Sequence, residues 1–318
     1  MIDLNLFFVT DIHGSDVCFR KFLNAAKFYD AEVLVLGGDI TGKLLVPLVK
    51  QDDGSYASEL RGTQITIHGE SERIEFEKKV NFNGFYPVVM EKDEYARAAG
   101  DASYRERLFE EVMLESIGRW LKLAEERLVG TDVKVYITAG NDDLLSMDDV
   151  LKSHSGGNIE YVEGRIASFE GIELLSMGDA NETPWHTARE FSEQELERRL
   201  SVLASRLSDP SRSIFNVHVP PIGVGLDICP ELDAELRPVT KAGEIVMKAA
   251  GSVAVKNVIE KSRPLLGLHG HIHESPGIAR VGRTVCINPG SEYGQGVLRG
   301  ALIRIEKGKL KHYALTRG

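Results

Sequence analysis

Residues 267–275 read GLHGHIHES, which places three of the chain's nine histidines within five positions. Imidazoles this close together act as metal ligands, as a pH-sensing group, or as buried side chains bonded to backbone. A metal site would need further donors, and the sequence offers them in four other places. They are Asp11 and His13 in TDIHG, Asp39 in LGGD, Asn141 in TAGND and His218 in NVHVPP. Two-residue spacing in extended chain puts Asp11 and His13 on one side. Alone, each signal is weak: Gly-Asp and Gly-Asn after an apolar run are usually turns, and a lone histidine in such a run is usually a satisfied core residue. Taken as one donor set, nitrogen and oxygen without thiolate suit Mn, Fe, Zn or Co. So many imidazoles argue against a site exclusive to Mg or Ca.

The elements that must position these residues are short apolar runs, each ending in a polar or glycine-rich turn: LNLFFVTD, EVLVLGGD, VKVYITAGND, IELLSMGDA, IFNVHVPP, LLGLHGH and TVCINPGS. Four to six residues rich in Val, Ile and Leu read as buried strands. Between them lie helical patterns. Phe19, Phe22, Leu23 and Ala26 keep i, i+3, i+4, i+7 spacing, and Ile117, Trp120, Leu121, Ala124 and Leu128 form a second stripe. Leu196, Leu200, Leu203 and Leu207 form a third behind a Ser192/Glu195 capping box. Ser252 is the expected cap of a fourth helix carrying Val255, Val258 and Ile259. Strands alternating with helices predict an α/β fold, whose chemistry gathers at the carboxyl ends of the strands. Those ends are where the Asp, Asn and His residues stand.

Residues 43–99 break the pattern. TQITIHG, RIEFEKKV and FYPVVM read as two or three exposed strands, followed by the acidic MEKDEY. The expectation is one domain over residues 1–318 with an inserted subregion at 43–99. That insertion would be a lid, a dimer contact or a surface elaboration.

Bulk composition narrows the function classes. A net charge of -10 over 318 residues disfavours broad contact with nucleic acid or anionic membrane. An anionic substrate stays compatible, because bound metal can reverse the local field. The apolar run near the amino terminus is too short for a signal peptide or a membrane span, and no other stretch approaches membrane length. Cys18, Cys229 and Cys286 are far apart and lack CxxC spacing, so no disulfide framework is expected. A cytoplasmic protein is the expectation.

D-x-H, G-D, G-N, a strand-end His and G-H-x-H, in this order, resemble the calcineurin-like metallophosphoesterase superfamily over most of the chain outside the insertion. NETPWHTAREFSEQEL, GHIHES and INPGS are similar to a branch of phosphoesterases related to the Icc phosphodiesterase. The resemblance implies a four-layer α/β/β/α sandwich of two mixed sheets flanked by helices. It also implies two divalent transition-metal ions, with manganese the first choice in assays. Carried over by motif, Asp11, His13 and His273 would hold one ion, Asn141, His218 and His271 the second, and Asp39 would bridge them. His269 is left a supporting or packing role. A shared carboxylate permits the roughly 3.5–4 Å separation of two-metal hydrolases, with a bridging hydroxide attacking phosphorus in line. Two divalent ions outweigh two aspartates and a hydroxide, leaving about one positive charge for phosphate.

The sequence departs from the pattern after Asn141, where many members carry a histidine that protonates the leaving group. Here it is Asp142, followed by Asp143. An aspartate beside two dications would be ionised and a poor acid. The expectation is therefore weaker action on monoesters with poor leaving groups and relatively better turnover of activated substrates such as aryl phosphodiesters. His186, in the loop DANETPWHT, is a candidate replacement acid, with Asn181 and Trp185 as candidate substrate contacts. His68 would matter only if the insertion folds over the site, and His154 and His312 read as surface residues. The leading function is a phosphoesterase acting on a small phosphodiester, with homo-oligomerisation left open. The competing readings are a nuclease, which the acidic composition disfavours, and a non-catalytic scaffold of the same fold.

Overall fold

The computed structural model describes residues 3–318. Two six-stranded sheets face one another. The first runs Lys309–Arg317, Arg299–Glu306, Asp3–Val9, Val33–Gly37, Lys134–Thr138, Ile159–Tyr161. The last four of these are parallel and the first two antiparallel. The second runs Gly277–Val281, Thr284–Asn288, Leu266–Leu268, Ile214–Val217, Ile172–Met177, Arg165–Phe169, with four parallel central strands and an antiparallel strand at each edge.

Strand periodicity builds the layers. Leu6, Phe8, Val33 and Val35 point inward and meet Leu174, Ile214, Leu266, Leu268 and Ile287 of the facing sheet. Their chain neighbours Phe7, Val9, Leu34 and Leu36 point outward, against Phe19, Phe22, Trp120, Leu121 and Leu151 of the covering helices. On the far side Leu175, Phe215 and Val217 meet Leu196, Leu200, Leu203, Val255 and Ile259. Both faces of each strand are buried, which is why the runs read as continuously apolar. The four-layer α/β/β/α sandwich is thus the observed architecture.

The helices follow their stripes. Asp16–Phe28 is capped by Ser15, Glu193–Ala204 by Ser192 and Val253–Ser262 by Ser252. Only half of the capping box forms: Ser192 Oγ accepts from Glu195 N–H, while the Glu195 carboxylate binds Arg198. Among the described residues no helix is long and apolar enough to cross a membrane.

Within 43–99 the strands are Leu45–Lys50, Tyr56–Leu60, Thr63–Ile67 and Tyr86–Met90, in one four-stranded sheet. RIEFEKKV is not a strand but part of the helix Gly69–Phe82. Its R-I-E-F alternation imitates a strand. The helix prevails because Phe76 and Val80, four apart, bury against Val46, Leu48, Leu60 and Ile67, and Arg73 pairs with Glu70 and Glu77 on the exposed side. The acidic MEKDEY likewise opens a helix, Lys92–Gly100.

Candidate metal centre

The carboxyl ends of the parallel strands in both sheets converge at one edge, and the loops beyond them carry every expected donor. Asp11, His13, Asp39 and His273 place one donor atom each within 4.8 Å of one another, and so do Asp39, His218 and His271. Asn141 joins the second group, its Oδ1 accepting from His271 Nδ1 at 2.8 Å. The loops are bent into unusual backbone: Asp11 (φ 54°), His13 (φ 37°), Asp39 (φ 50°) and His271 (φ 66°) are all left-handed. Non-glycine residues adopt that region at a cost of order 1–3 kcal/mol, and such residues concentrate at functional sites.

Two glycines explain the recurring Gly-ligand pairs. A Cβ on Gly140 would lie 2.1 Å from Asp39 Oδ1, and one on Gly270 would lie 2.3 Å from Asp11 Oδ2. The backbone must approach these carboxylates too closely for any side chain.

The donor spacing fits metal ions. Ligands bonded to one ion at about 2.0–2.2 Å lie about 3 Å apart at right angles and a little over 4 Å when opposite. Here His13 Nε2 is 3.0 Å from His273 Nε2, 3.6 Å from Asp39 Oδ2 and 4.0 Å from Asp11 Oδ1. His273 Nε2 is 3.2 Å from Asp11 Oδ1. On the other side His218 Nε2 is 3.4 Å from Asp39 Oδ1 and 3.9 Å from Asp11 Oδ1. The tautomer is also arranged, since His218 Nδ1–H donates to Gly37 O at 3.0 Å. Its buried Nε2 points into the site, 3.4 Å from Asp39 Oδ1, and becomes a donor to metal once its proton is displaced. Buried Asp and His side chains in this arrangement could hold metal ions.

The electrostatics of the metal-free cluster agree. Burial pushes His13 down to about 3 and His271 down to about 4, leaving both neutral. For His218 burial acts downward too, but the Asp39 and Asp11 carboxylates overcome it and hold the imidazole up at about 10. Burial also opposes a charge on His273, and Asp11 again prevails, raising it. The His218 proton thus faces the two carboxylates where a cation would stand. Ligation must displace it, and apparent metal affinity should rise with pH through neutrality. The expected release from His218 is about one proton per chain at pH 7. Calorimetry in buffers of different ionisation enthalpy measures it, and a result of zero would contradict this charge arrangement.

Supporting residues complete the centre. Asp143 is fully buried and accepts from the backbone N–H groups of Ile40 (3.0 Å), Thr41 (2.9 Å) and Gly140 (2.8 Å), and from Thr41 Oγ1 (2.8 Å). It thereby ties the Asp39 loop to the Asn141 loop. His269 is buried behind them, with Nδ1–H donating to Val217 O at 2.8 Å, a packing position. The Tyr293 ring packs 4.7 Å from that of His13, and Ser291 Oγ donates to Asp11 O at 2.6 Å.

Asp142 faces the cluster but is not alone. Its Oδ2 lies 3.9 Å from His13 Nδ1 and 2.7 Å from Lys43 Nζ, and its N–H donates to Asp39 Oδ1 at 3.1 Å. Burial and the nearby Asp39 raise the Asp142 carboxyl in the metal-free chain, with Lys43 opposing. Lys43 returns the positive charge that Asp142 removes. No sequence signal points to Lys43, because its partner is far along the chain; Asp143 is visible only as the second of two aspartates.

The loop 182–188 carries the candidate residues Trp185 and His186 at the surface. Trp185 is 59% exposed and His186 is exposed with φ 51°. No hydrogen bond, ion pair or ring contact joins either to the cluster among the described residues. Their neighbour Thr187 does reach it, its Oγ1 accepting from Asn141 Nδ2 at 2.9 Å. Asn181 lies half-buried in the short strand Ala180–Asn181. His68 and His312 are exposed and His154 pairs with Glu125, all apart from the cluster.

The insertion meets the centre at its start and again at Gly84. Lys43 is its first residue. Gly84 lies so close that a Cβ there would be 2.1 Å from His13 O, and Gly42 N–H donates to Tyr86 Oη at 2.7 Å.

No family model matches the chain. The uncharacterised protein MJ1162 of Methanocaldococcus jannaschii is 27% identical over 176 residues, 54% of this chain and 71% of that protein. One solved structure superposes over 99% of both chains with a TM-score of 0.60 and 17% identity. TT1561 of Thermus thermophilus covers 100% of this chain and 99% of its own, with a TM-score of 0.54 and 13% identity. At these identities the likeness is one of fold, and it extends over the whole chain.

Proposed function

We propose that the chain is a dinuclear-metal phosphoesterase of the calcineurin-like type that hydrolyses small phosphodiesters. The observation that carries this reading is the position of Asp39. Its Oδ2 faces His13 and its Oδ1 faces His218, so one carboxylate stands between two donor groups, as a two-metal hydrolase requires. Asp11, His13 and His273 would hold one ion, and Asn141, His218 and His271 the other. When bound, such ions supply Lewis acidity toward phosphoryl oxygens and activate water at neutral pH.

The chain's own residues do the rest. Gly37 O orients the His218 imidazole through its Nδ1 atom. Asp143 keeps both ligand loops in register, and Thr187 steadies the Asn141 amide. With Asp142 paired to Lys43 and His186 making no contact with the cluster, no protonated imidazole outside the proposed ligand set stands ready among the described residues to donate a proton to a leaving group. Substrates with good leaving groups are favoured accordingly. The net charge of -10 supports a small substrate over nucleic acid and a cytoplasmic setting over a membrane surface.

The test is metal analysis joined to a substrate panel. We expect two transition-metal equivalents and manganese-stimulated hydrolysis of bis(p-nitrophenyl) phosphate. Alkyl esters should turn over more slowly, and single-stranded DNA slower still. Uptake of one ion or none, or a preference for DNA, would refute the proposal.

A further inference from the structure

We propose that Lys43 grips a non-bridging phosphoryl oxygen of the substrate, and that the Asp142 carboxylate beside it makes the site favour singly charged phosphodiesters over doubly charged monoesters. The inference deepens the phosphoesterase reading and rests on it. Asp142 is anchored to the centre by its N–H bond to Asp39 and by its approach to His13, and Lys43 Nζ is held 2.7 Å from it. The ammonium therefore stands at the rim of the donor cluster.

Two features separate this pair from an ordinary loop clamp. First, the loops it spans are already joined by the four hydrogen bonds to Asp143, and Gly42 is held by Tyr86. A further strut adds little, and ion pairs this exposed are worth only about 0–1 kcal/mol. Second, the Lys43 side chain is 47% exposed and that of Asp142 28%. An ammonium has three donor directions, so part of its surface remains open to a ligand while one direction meets Asp142. The carboxylate beside it penalises a second negative charge on the substrate, which gives the preference for diesters.

The sign of the effects distinguishes gripping from clamping. In the manganese-loaded protein, Lys43→Met should weaken inorganic phosphate binding about tenfold, as for loss of one charge-assisted hydrogen bond. It should raise KM for bis(p-nitrophenyl) phosphate by a similar factor while kcat falls less than about threefold, and Lys43→Arg should restore most of the loss. Asp142→Asn should act in the opposite direction, tightening phosphate severalfold and raising kcat/KM for a monoester relative to the diester.

If both variants weaken phosphate, or both only lower the melting temperature, the pair is a clamp and the inference falls, though hydrolysis by the wild type would keep the phosphoesterase reading intact. If the wild type hydrolyses no ester yet the two variants shift phosphate binding in opposite directions, the Lys43 contact stands and the phosphoesterase reading falls.

Discussion

Under the proposed two-ion function, Asp39→Ala is expected to abolish binding of both metal ions, whereas His13→Ala and His218→Ala should each remove one. The asymmetry follows from geometry: each histidine lies on one side of Asp39, and the two carboxylate oxygens face opposite sides. Replacing a single residue that only supports a ligand typically costs 10–100-fold in metal affinity or activity. Loss of the shared ligand should therefore exceed about a hundredfold in hydrolysis. Elemental analysis of the purified variants gives the stoichiometry.

A second readout needs no metal. In the stripped protein the Asp39 and Asp11 carboxylates hold His218 up at about 10 against burial, so removing Asp39 should return it toward the ordinary imidazole range. An NMR titration that finds the His218 ring unmoved in Asp39→Ala would show that the two groups are not paired as described.

Asp143→Ala is expected to be the most destabilising single change near the site, by about 3–5 kcal/mol. The carboxylate meets three backbone N–H groups and the Thr41 hydroxyl in a buried position. Deleting it orphans four donors, each costing about 1–3 kcal/mol unless water enters the hole, which sets the lower bound. Thr41→Val removes only one of the four and should cost about 1 kcal/mol. Thermal melts of metal-free protein test this without interference from ligand linkage.

The pH dependence provides a sign. Burial lifts the Asp143 carboxyl to about 6, although its hydrogen bonds act the other way. A folded-state value above the unfolded one means that the native state binds the extra proton between about pH 4 and 6. Stability is then greatest below that window, falls as pH rises through it and levels above it. That component should be missing from Asp143→Ala. Equal metal-free melting of variant and wild type across the range would contradict the arrangement.

Much of the fold and of the centre is legible in the chain for a local reason. Every donor follows closely on the end of a short apolar strand, and Asp39, Asn141 and His271 each come directly after a glycine. Strand identity and close backbone approach both leave a short-range imprint on sequence. The pairs Leu6 with Phe7 and Leu34 with Val35 show what is less legible. These neighbours are equally apolar yet face different layers, so composition along a strand does not reveal which sheet face meets which partner. The helix Gly69–Phe82 reads as a strand because R-I-E-F-E satisfies a period of two over five residues. Only burial of Phe76 with Val80 against the inserted sheet decides between the periods.

The sequence alone determined an α/β sandwich and the set of residues around its centre, from GLHGHIHES back to Asp11. His271 and His273, separated by one residue, turn out to face different donor groups: His271 meets Asn141 and His273 meets Asp11 and His13. Only the tertiary structure decided the surroundings. It placed Lys43 on Asp142, Asp143 between two loops, and Thr187 rather than His186 against Asn141. These are contacts between side chains on different loops, and such pairings leave no periodicity or fixed spacing in the chain. They arise when the sheets bring their strand ends to one edge, and their energies depend on distances that only the packed fold sets.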